Sequence, residues 1–327
     1  MIFKIDWEKT TIPYQLSNQT IEQMVKLAFP DEKLDSYHVI AGGCANINTE
    51  VKLVNHQKSL LLRIYIRDKD AAFREQKLGN LLHRIIPIPR TNYIGESDGY
   101  HFAITEFLPG ITLRALLLSE NSYNLALIMN EVGSILAKIN NITFDKAGFF
   151  DKTINVTQQI NKDIYLDYIK GCLDNSFLIT NLGKNIVDEI RLVFKKYRDL
   201  LPSSNETNLV HGDFDPANIL VEKIDGQWRV TGILDWEFAF SGSILFDIAN
   251  MLRYAHQMPV DFQNSFLRGV KEGGIILPKE WHITMKLLNI GSLLDIMNRS
   301  DLGYRTVTCA DSAKLINHML QELRDIP

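Results

Sequence analysis

The stretch LVHGDFDPANILVEKIDGQWRVTGILDWE, residues 209–237, sets acidic side chains and an asparagine between short apolar runs. Its Asp-Gly dipeptide at 225–226 is a strong signal for a two-residue hairpin turn. A hairpin brings its two outer ends together. We therefore expect Asp213 and Asn218, before the first strand, to converge with Asp235 at the end of the second strand.

The spacing of these residues is typical of phosphoryl transfer. Asp213 and Asn218 have the spacing of the protein-kinase catalytic loop, H-R-D-x-x-x-x-N. In that chemistry one carboxylate orients or deprotonates the attacking hydroxyl, while a second carboxylate and an amide oxygen hold Mg²⁺ on the phosphates. A polar turn with an asparagine cap would explain any one of these residues, but the ordered set favours the kinase interpretation.

Length and composition set the outer limits. The chain has 327 residues, 46% of them hydrophobic, which suits two lobes with a sizeable core. The net charge of −4 argues weakly against a nucleic-acid partner. The three cysteines are scattered without a CxxC motif, which argues against a disulfide framework or zinc site. No signal peptide and no apolar run of ~18 residues is visible, so we expect a cytoplasmic protein without a membrane partner.

The residue pattern changes from strand-rich to helical along the chain. Strand-like runs cover 37–54, 58–66 and 101–110, and helical spacing covers 69–86. After a linker at 105–110 the pattern is mostly helical and contains the one hairpin, with helical stretches at 121–141, 155–200, 243–257, 260–272 and 279–323.

Three motifs carry a family resemblance: VHGDFDPANILV, GILDWEFAFSG and FDIANMLR. In this order they resemble the aminoglycoside phosphotransferase and choline kinase superfamily, small-molecule kinases with a protein-kinase-like fold. The order of features matches from about residue 37 to at least 255. The resemblance implies an α+β bilobal fold. Residues 1–106 would form an N-lobe, a nucleotide-binding β-sheet with one helix, and residues 107–327 a C-lobe with the catalytic hairpin and a helical acceptor-binding region.

The resemblance also implies roles for the hairpin residues. Asp213 would be the catalytic base, and Asn218 and Asp235 the Mg²⁺ ligands. His211 would brace the catalytic loop, and Asp247 would fix that loop through backbone hydrogen bonds. A helix N-terminal acid favoured by the helix dipole is an equal alternative for Asp247.

The nucleotide side is predicted from the N-lobe. Gly42, Gly43 and Asn46 lie between two predicted strands, where glycines let a loop approach phosphates. Arg63 stands in an apolar strand and needs a partner, which Glu75 supplies from the next helix. This pair would mirror the strand-lysine to helix-glutamate pair of kinases; an edge-strand arginine and a surface glutamate are the alternative.

By the same resemblance, the linker borders the adenine pocket. Thr105 would lie beside the purine, and the C=O of Glu106 and the N–H of Leu108 would bind its edge. Glu237 stands two residues beyond Asp235, so on a continuing strand both would face the same side. It is a possible metal or acceptor contact.

We therefore expect a kinase that uses ATP and Mg²⁺, with GTP not excluded, to phosphorylate a small-molecule hydroxyl. Eleven residues between Asp235 and Asp247 leave no room for a protein-kinase activation loop. The acceptor would be an aminoglycoside-like antibiotic or an amine-bearing metabolite such as choline, an amino sugar or homoserine. A non-catalytic nucleotide-binding regulator and a metal hydrolase using His211, Asp213 and Asp235 are the alternatives. The sequence does not define the oligomeric state.

Overall fold

The computed structural model describes residues 3–8, 16–40, 46–300 and 305–326. Its strands are β1 (Leu34–Ile40), β2 (Asn46–Leu53), β3 (Leu60–Tyr65), β4 (Thr91–Ser97), β5 (Tyr100–Glu106), β6 (Ile111–Thr112), β7 (Gly148–Phe150), β8 (Val156–Gln159), β9 (Asn208–Val210), β10 (Ile219–Ile224), β11 (Gln227–Ile233) and β12 (Phe240–Gly242). Its α-helices are α1 (Asn18–Ala28), α2 (Ala71–Leu82), α3 (Leu113–Leu117), α4 (Leu125–Asn140), α5 (Lys162–Leu173), α6 (Ser176–Leu182), α7 (Lys184–Lys196), α8 (Leu245–Leu252), α9 (Val260–Glu272), α10 (Trp281–Ser300) and α11 (Thr306–Arg324).

The N-terminal part is an antiparallel five-stranded sheet in the order β1-β2-β3-β5-β4. β3 is its central strand, and Arg63 on β3 is in register with Asn48 of β2 and Ala103 of β5. A central position excludes the edge-strand interpretation of Arg63. The side chain is buried, which is costly for a charge unless it is paired.

Helices lie against both faces of this sheet. The apolar side chains of α1 join one core cluster with the sheet, and α2 packs Ala71 and Ala72 against Tyr65 and Ala103. α1 is a second helix in a lobe for which the sequence predicted one. Its first turn is capped by Ser17, whose hydroxyl accepts a hydrogen bond from the N–H of Thr20.

The C-terminal part is mainly helical and holds the larger core. α4 and α9 cross closely at two glycines: a Cβ at Gly133 would lie 2.0 Å from the C=O of Phe266, and one at Gly269 would lie 2.0 Å from that of Asn130. The predicted helical stretch 279–323 is two helices, α10 and α11. The expected mixed α+β architecture, with a β-rich N-terminal part and a mainly helical C-terminal part, is confirmed, while the division at residue 106 stays a prediction.

The predicted hairpin is present as β10 and β11. Its turn residues Asp225 and Gly226 both have positive φ, 49° and 82°, as a type I′ turn requires. β6 adds to the free edge of β10, so the chain that leaves the N-lobe sheet is tied to the hairpin.

A second small sheet, in the order β8-β7-β12-β9, was not predicted. Its strands have three or four residues each, which is too short to show an alternating pattern. Across the described residues, none of the helices has the length and apolar character needed to cross a bilayer.

Candidate active site

The open end of the hairpin brings the predicted catalytic residues together. The N–H of Leu234 donates to the C=O of Asn218 at 2.8 Å, which holds the two strand ends side by side. The Nδ2 of Asn218 donates to the backbone C=O of Asp213 at 2.9 Å and to its Oδ2 at 3.0 Å. Asp235 follows directly after Leu234. The three residues therefore border one site, and the carboxyl groups of Asp213 and Asp235 are each 30% exposed.

Asp247 holds the backbone of the catalytic loop through its side chain. Its two carboxyl oxygens accept hydrogen bonds from the backbone N–H groups of His211 and Gly212, at 2.8 and 2.9 Å. Burial raises the pKa of Asp247 to about 7, and the two N–H donors offset only part of that effect. Asp247 thus accepts hydrogen bonds from the loop backbone and also lies in the first turn of α8, so the structure shows both arrangements considered for it.

His211 ties the loop to the hairpin. Its Nε2 lies 2.9 Å from the C=O of Leu234 and must donate, while its Nδ1 accepts from the N–H of Asp213 at 3.2 Å. This pattern requires a neutral ring, and burial lowers the pKa of His211 accordingly. Both ring nitrogens are used inside the protein, which argues against His211 as a metal ligand in a hydrolase.

Gly212 completes the loop. Its φ is +85°, and a Cβ there would lie 2.3 Å from the backbone oxygen of Phe238. Asn250, which the sequence did not single out, donates from its Nδ2 to the C=O of Gly212 at 2.9 Å. The position therefore requires glycine for its backbone conformation and for space.

Arg63 reaches across from the N-lobe into a group of three carboxylates. One guanidinium nitrogen lies 2.6 Å from Asp235, 3.5 Å from Glu75 and 3.8 Å from Glu237. The structure thus brings Arg63 and Glu75 together, with Asp235 as the closer partner. The hydroxyl of Tyr65 donates to Glu75 on its other side.

Burial and charge set the ionisation of this group. Burial raises the pKa of Glu75, and the positive charge of Arg63 offsets only part of that rise. Burial and the nearby Asp235 charge raise the pKa of Glu237 to about 7. The single positive charge of Arg63 therefore cannot neutralise all three neighbouring carboxyl groups when they are ionised.

Glu237 reaches the site by a different route from the one predicted. β11 ends at Ile233, Asp235 has φ of +67°, and Trp236–Phe238 form a single 3-10 turn. The expectation of a continuing strand was wrong, because the left-handed residue ends the extended backbone. The carboxylate of Glu237 is 7% exposed and nevertheless lies beside Arg63.

The donor set fits a divalent cation. Oε1 of Glu237 is buried without a hydrogen-bond partner among the described residues. Asn218 uses its Nδ2 for Asp213, which leaves its Oδ1 as a ligand. Within the described ranges no three His, Cys, Asp or Glu side chains gather as a metal site. Mg²⁺ often takes only one or two protein carboxylates with waters and substrate phosphates, so Asn218 and Asp235 would be enough to hold it.

The predicted nucleotide loop is described only in part. Gly42 and Gly43 lie outside the described residues. Asn46, the first residue of β2, donates from its Nδ2 to Oε2 of Glu237 at 2.9 Å. This bond ties the end of the loop to the carboxylates around Arg63.

The linker residues lie at the end of β5. Thr105 is buried, and the N–H of Glu106 donates to the C=O of Arg90 at 2.9 Å. The N–H of Leu108 makes no hydrogen bond with the described residues of the chain, so it is left as a donor for a ligand.

Two further residues at the site were missed by the sequence analysis. The Nζ of Lys4 lies 2.5 Å from Oδ2 of Asp215 and 3.3 Å from Oδ1 of Asp213. Burial acts to raise the pKa of Asp213, but the charge of Lys4 leads the contributions that outweigh it and hold that pKa below its usual value. Asp215 was visible in the HGDFDPAN motif, whereas nothing in the sequence around Lys4 indicated its position.

Four acids toward the end of the chain, Asp261, Glu272, Asp295 and Asp301, are candidates from the sequence for the acceptor pocket, and two of them have partners elsewhere. Glu272 accepts from Asn130 at 2.9 Å, and Asp295 pairs with Arg299 at 2.6 Å. Asp261 lies in the first turn of α9, exposed, and Asp301 is outside the described residues. No contact of Glu272 or Asp295 with the catalytic loop is found.

Comparison with known proteins gives one family. A sequence model of the phosphotransferase enzyme family matches residues 36–283. No curated protein matches the chain at a significant level.

Solved structures share the fold at low identity. The chain is similar to a thermostable mutant of aminoglycoside phosphotransferase APH(4)-Ia in ternary complex with AMP-PNP and hygromycin B (17% identity, TM-score 0.70, covering 92% of this chain and 98% of that one). It is similar to the GDP and kanamycin complex of APH(2")-IIia (16%, 0.69, 92% and 98%). A third similar structure is choline kinase LicA from Streptococcus pneumoniae (11%, 0.62, 93% and 98%).

Proposed function

Because the chain belongs to the phosphotransferase enzyme family, we propose that it is an ATP-dependent kinase that transfers the γ-phosphoryl group to a hydroxyl of a small molecule. The acceptor would be an aminoglycoside-like antibiotic or an amine-bearing metabolite of the choline, amino sugar or homoserine type. The observation that carries the proposal is the convergence of Asp213, Asn218 and Asp235 at the open end of the hairpin, with Arg63 opposite them.

We assign to Asp213 the role of receiving the acceptor hydroxyl. Its carboxylate is partly exposed, and its Oδ2 is oriented by the amide of Asn218. A general base must lie within hydrogen-bond reach of the proton that it accepts. In the proposed reaction the acceptor hydroxyl donates to Asp213, which orients the hydroxyl oxygen toward the phosphoryl group and takes its proton.

The nucleotide would lie between the N-lobe sheet and the hairpin. The N–H of Leu108 and the C=O of Glu106 are offered to the purine edge, with Thr105 beside it. Arg63 carries a fixed positive charge for phosphate, and a guanidinium can bind phosphate through two donors. Gly42 and Gly43 stay predictions for the phosphate loop.

Asn218 and Asp235 would hold Mg²⁺, with Glu237 as a possible third contact. Bound Mg²⁺ would neutralise negative charge on the β- and γ-phosphates. For this role Asp235 has to exchange its contact with Arg63 at least in part, and the unpartnered Oε1 of Glu237 supports a cation on that side.

There are two alternatives to this proposal. In the first, the nucleotide donor is GTP rather than ATP, since a similar structure holds GDP. The second alternative is a non-catalytic nucleotide-binding regulator, although the residues proposed as base and metal ligands, Asp213, Asn218 and Asp235, are all present. The cytoplasmic location stays a prediction.

ADP release in the presence of candidate acceptors tests the proposal. Kanamycin, hygromycin B, choline, ethanolamine, glucosamine and homoserine are compared with amine-free alcohols, with ATP and with GTP. Asp213→Asn should lower the stimulated turnover by about 10²–10⁴-fold, the usual contribution of a general base. Nucleotide binding should survive, because the proposed metal ligands are intact.

The exposed Asp199, whose carboxyl group is 93% accessible, provides the matched control as Asp199→Asn, which should turn over as the wild type does. Near-normal turnover by Asp213→Asn would remove Asp213 as the base. No stimulation by any acceptor, with nucleotide bound, would favour the regulator.

A further inference from the structure

Residues 3–8 run across the C-lobe beside the catalytic loop. Phe3 is buried, with its ring 5.8 Å from that of Tyr254 and 5.9 Å from that of Phe262. The guanidinium of Arg114 donates to the C=O of Phe3 at 3.2 Å. This end of the segment is therefore anchored on the C-lobe.

The other end is anchored on α11. The Nε1 of Trp7 donates to Asp311 at 2.8 Å. Glu8 accepts from the N–H groups of Val307 and Thr308 at 2.6 and 2.9 Å, and so caps the first turn of the helix. Contacts on both sides of Lys4 thus fix where its side chain begins.

The backbone at this point is also unusual. Phe3 and Lys4 have φ of 53° and 60°, a region that non-glycine residues seldom occupy. Such conformations persist where the surrounding structure fixes them. The anchors therefore direct the Lys4 side chain into the site.

The Lys4 ammonium contacts two carboxylates of the catalytic loop, the partly exposed Asp213 and the buried Asp215. It is 17% exposed and bonds Asp215 more closely than Asp213. Arg253 is a second cation in this region; it is buried and directs its guanidinium to Asn250, Asn289 and Ser292. Lys4 thus supplies the ammonium in direct contact with Asp213 and Asp215.

Resting on the proposed function, we infer that Lys4 is a specificity-determining residue of the acceptor site. Its ammonium occupies the carboxylates that an acceptor ammonium next to the reacting hydroxyl would use. That hydroxyl must reach Asp213, so an amine two carbons away would come close to the Lys4 ammonium. An acceptor whose ammonium lies next to the reacting hydroxyl competes with Lys4, while a neutral acceptor of the same shape, or one whose amine lies farther from that hydroxyl, does not.

The size of the effect follows from how often Lys4 occupies the carboxylates. If it does so in about 90–99% of molecules, an ammonium ligand binds about 10–100-fold more weakly than it would without Lys4. Removing the Lys4 charge should restore that affinity for cations alone.

The test compares Lys4→Met with the wild type in the full chain. The probes are ethanolamine and 1-propanol, which have the same shape and differ by the ammonium group. Dissociation constants are measured by calorimetry, and kcat/KM by ADP release. Lys4→Met should bind ethanolamine at least about tenfold more tightly, with 1-propanol unchanged within twofold.

Two further variants serve as controls. Lys4→Arg keeps the charge and should behave as the wild type does. Lys184→Met removes a lysine that pairs with Asp188 at 2.7 Å on an exposed surface, and it should change neither dissociation constant. If Lys4→Met lowers the melting temperature by several degrees, Lys4→Gln replaces it.

An ethanolamine dissociation constant in the Lys4 variant that is within twofold of the wild-type value, weaker, or too weak to measure overturns the inference. An equal loss of kcat for charged and neutral acceptors, with their ratio unchanged, overturns it too. Tightened ethanolamine binding without any acceptor-stimulated ADP release would reject the proposed kinase function and leave the role of Lys4 intact.

Discussion

Removing the Arg63 guanidinium should leave three carboxylates between the lobes without their positively charged partner. Glu75, Asp235 and Glu237 lie 3.5, 2.6 and 3.8 Å from it, and two of them are almost fully buried. Unit charges ~4 Å apart interact by about 4 kcal/mol at an effective dielectric constant near 20. Breaking a buried ion pair by removing one partner typically costs about 3–5 kcal/mol. We expect Arg63→Ala to lower the free energy of unfolding by that amount.

A double-mutant cycle isolates the contribution of the pair. Glu75→Gln removes one of the stranded charges, so Arg63→Ala with Glu75→Gln should be less destabilised than the sum of the single variants by about 1–3 kcal/mol. Urea unfolding at fixed pH and salt measures all four proteins. Arg63→Ala should also raise the KM for ATP more than the KM for the acceptor.

The chain provides a matched control pair of the same chemistry. Arg229 and Glu131 lie 3.0 Å apart at the surface, with Arg229 half exposed, where coupling is typically about 0.2–1 kcal/mol. A coupling energy for Arg63 and Glu75 no larger than that of the surface pair would refute the reasoning. Additive losses in the double variant would have the same meaning.

Two further variants test the metal ligands and the loop. Asp235→Asn should weaken binding of Mg-ATP and lower the turnover, because a carboxylate ligand is lost; coinciding Mg-ATP titrations of variant and wild type would exclude Asp235 as a ligand. Asp247→Asn keeps the shape but turns one acceptor into a donor that faces an N–H group. The unsatisfied group should lower the free energy of unfolding by about 1–3 kcal/mol, and turnover should slow. Unfolding and turnover curves that superimpose on the wild type would show that the loop does not depend on this brace.

For the residues proposed to be catalytic, the sequence predicted their convergence best where the chain itself brings them together. Asp213 and Asn218 are five residues apart, and one hairpin joins them to Asp235. Their convergence depends on one local turn, and an Asp-Gly dipeptide at such a place strongly favours a single turn type, the two-residue type I′ turn. The Arg63 and Glu75 contact was predictable for a related reason, since a strand followed directly by a helix leaves few arrangements.

Features built from distant segments were not predictable in this way. Lys4 and Asp213 are separated by 209 positions, and no periodicity relates them. The path of residues 3–8 depends on pockets assembled from Tyr254, Phe262 and α11. α1 differs, because its sequence does carry a helix signal: Ser17 as the N-cap, followed by apolar residues at helical spacing.

The docked position of residues 3–8 bears on how the protein should be handled at the bench. An affinity tag joined at this end would be carried by the segment whose Lys4 Nζ contacts Asp213 and Asp215, and we expect it to disturb acceptor binding. A tag placed after Arg324 would leave from a surface ion pair with Glu189 on the far end of α11. Acceptor kinetics measured with a tag at one end or the other should therefore differ. A tag next to residues 3–8 should be cleaved before acceptors are compared.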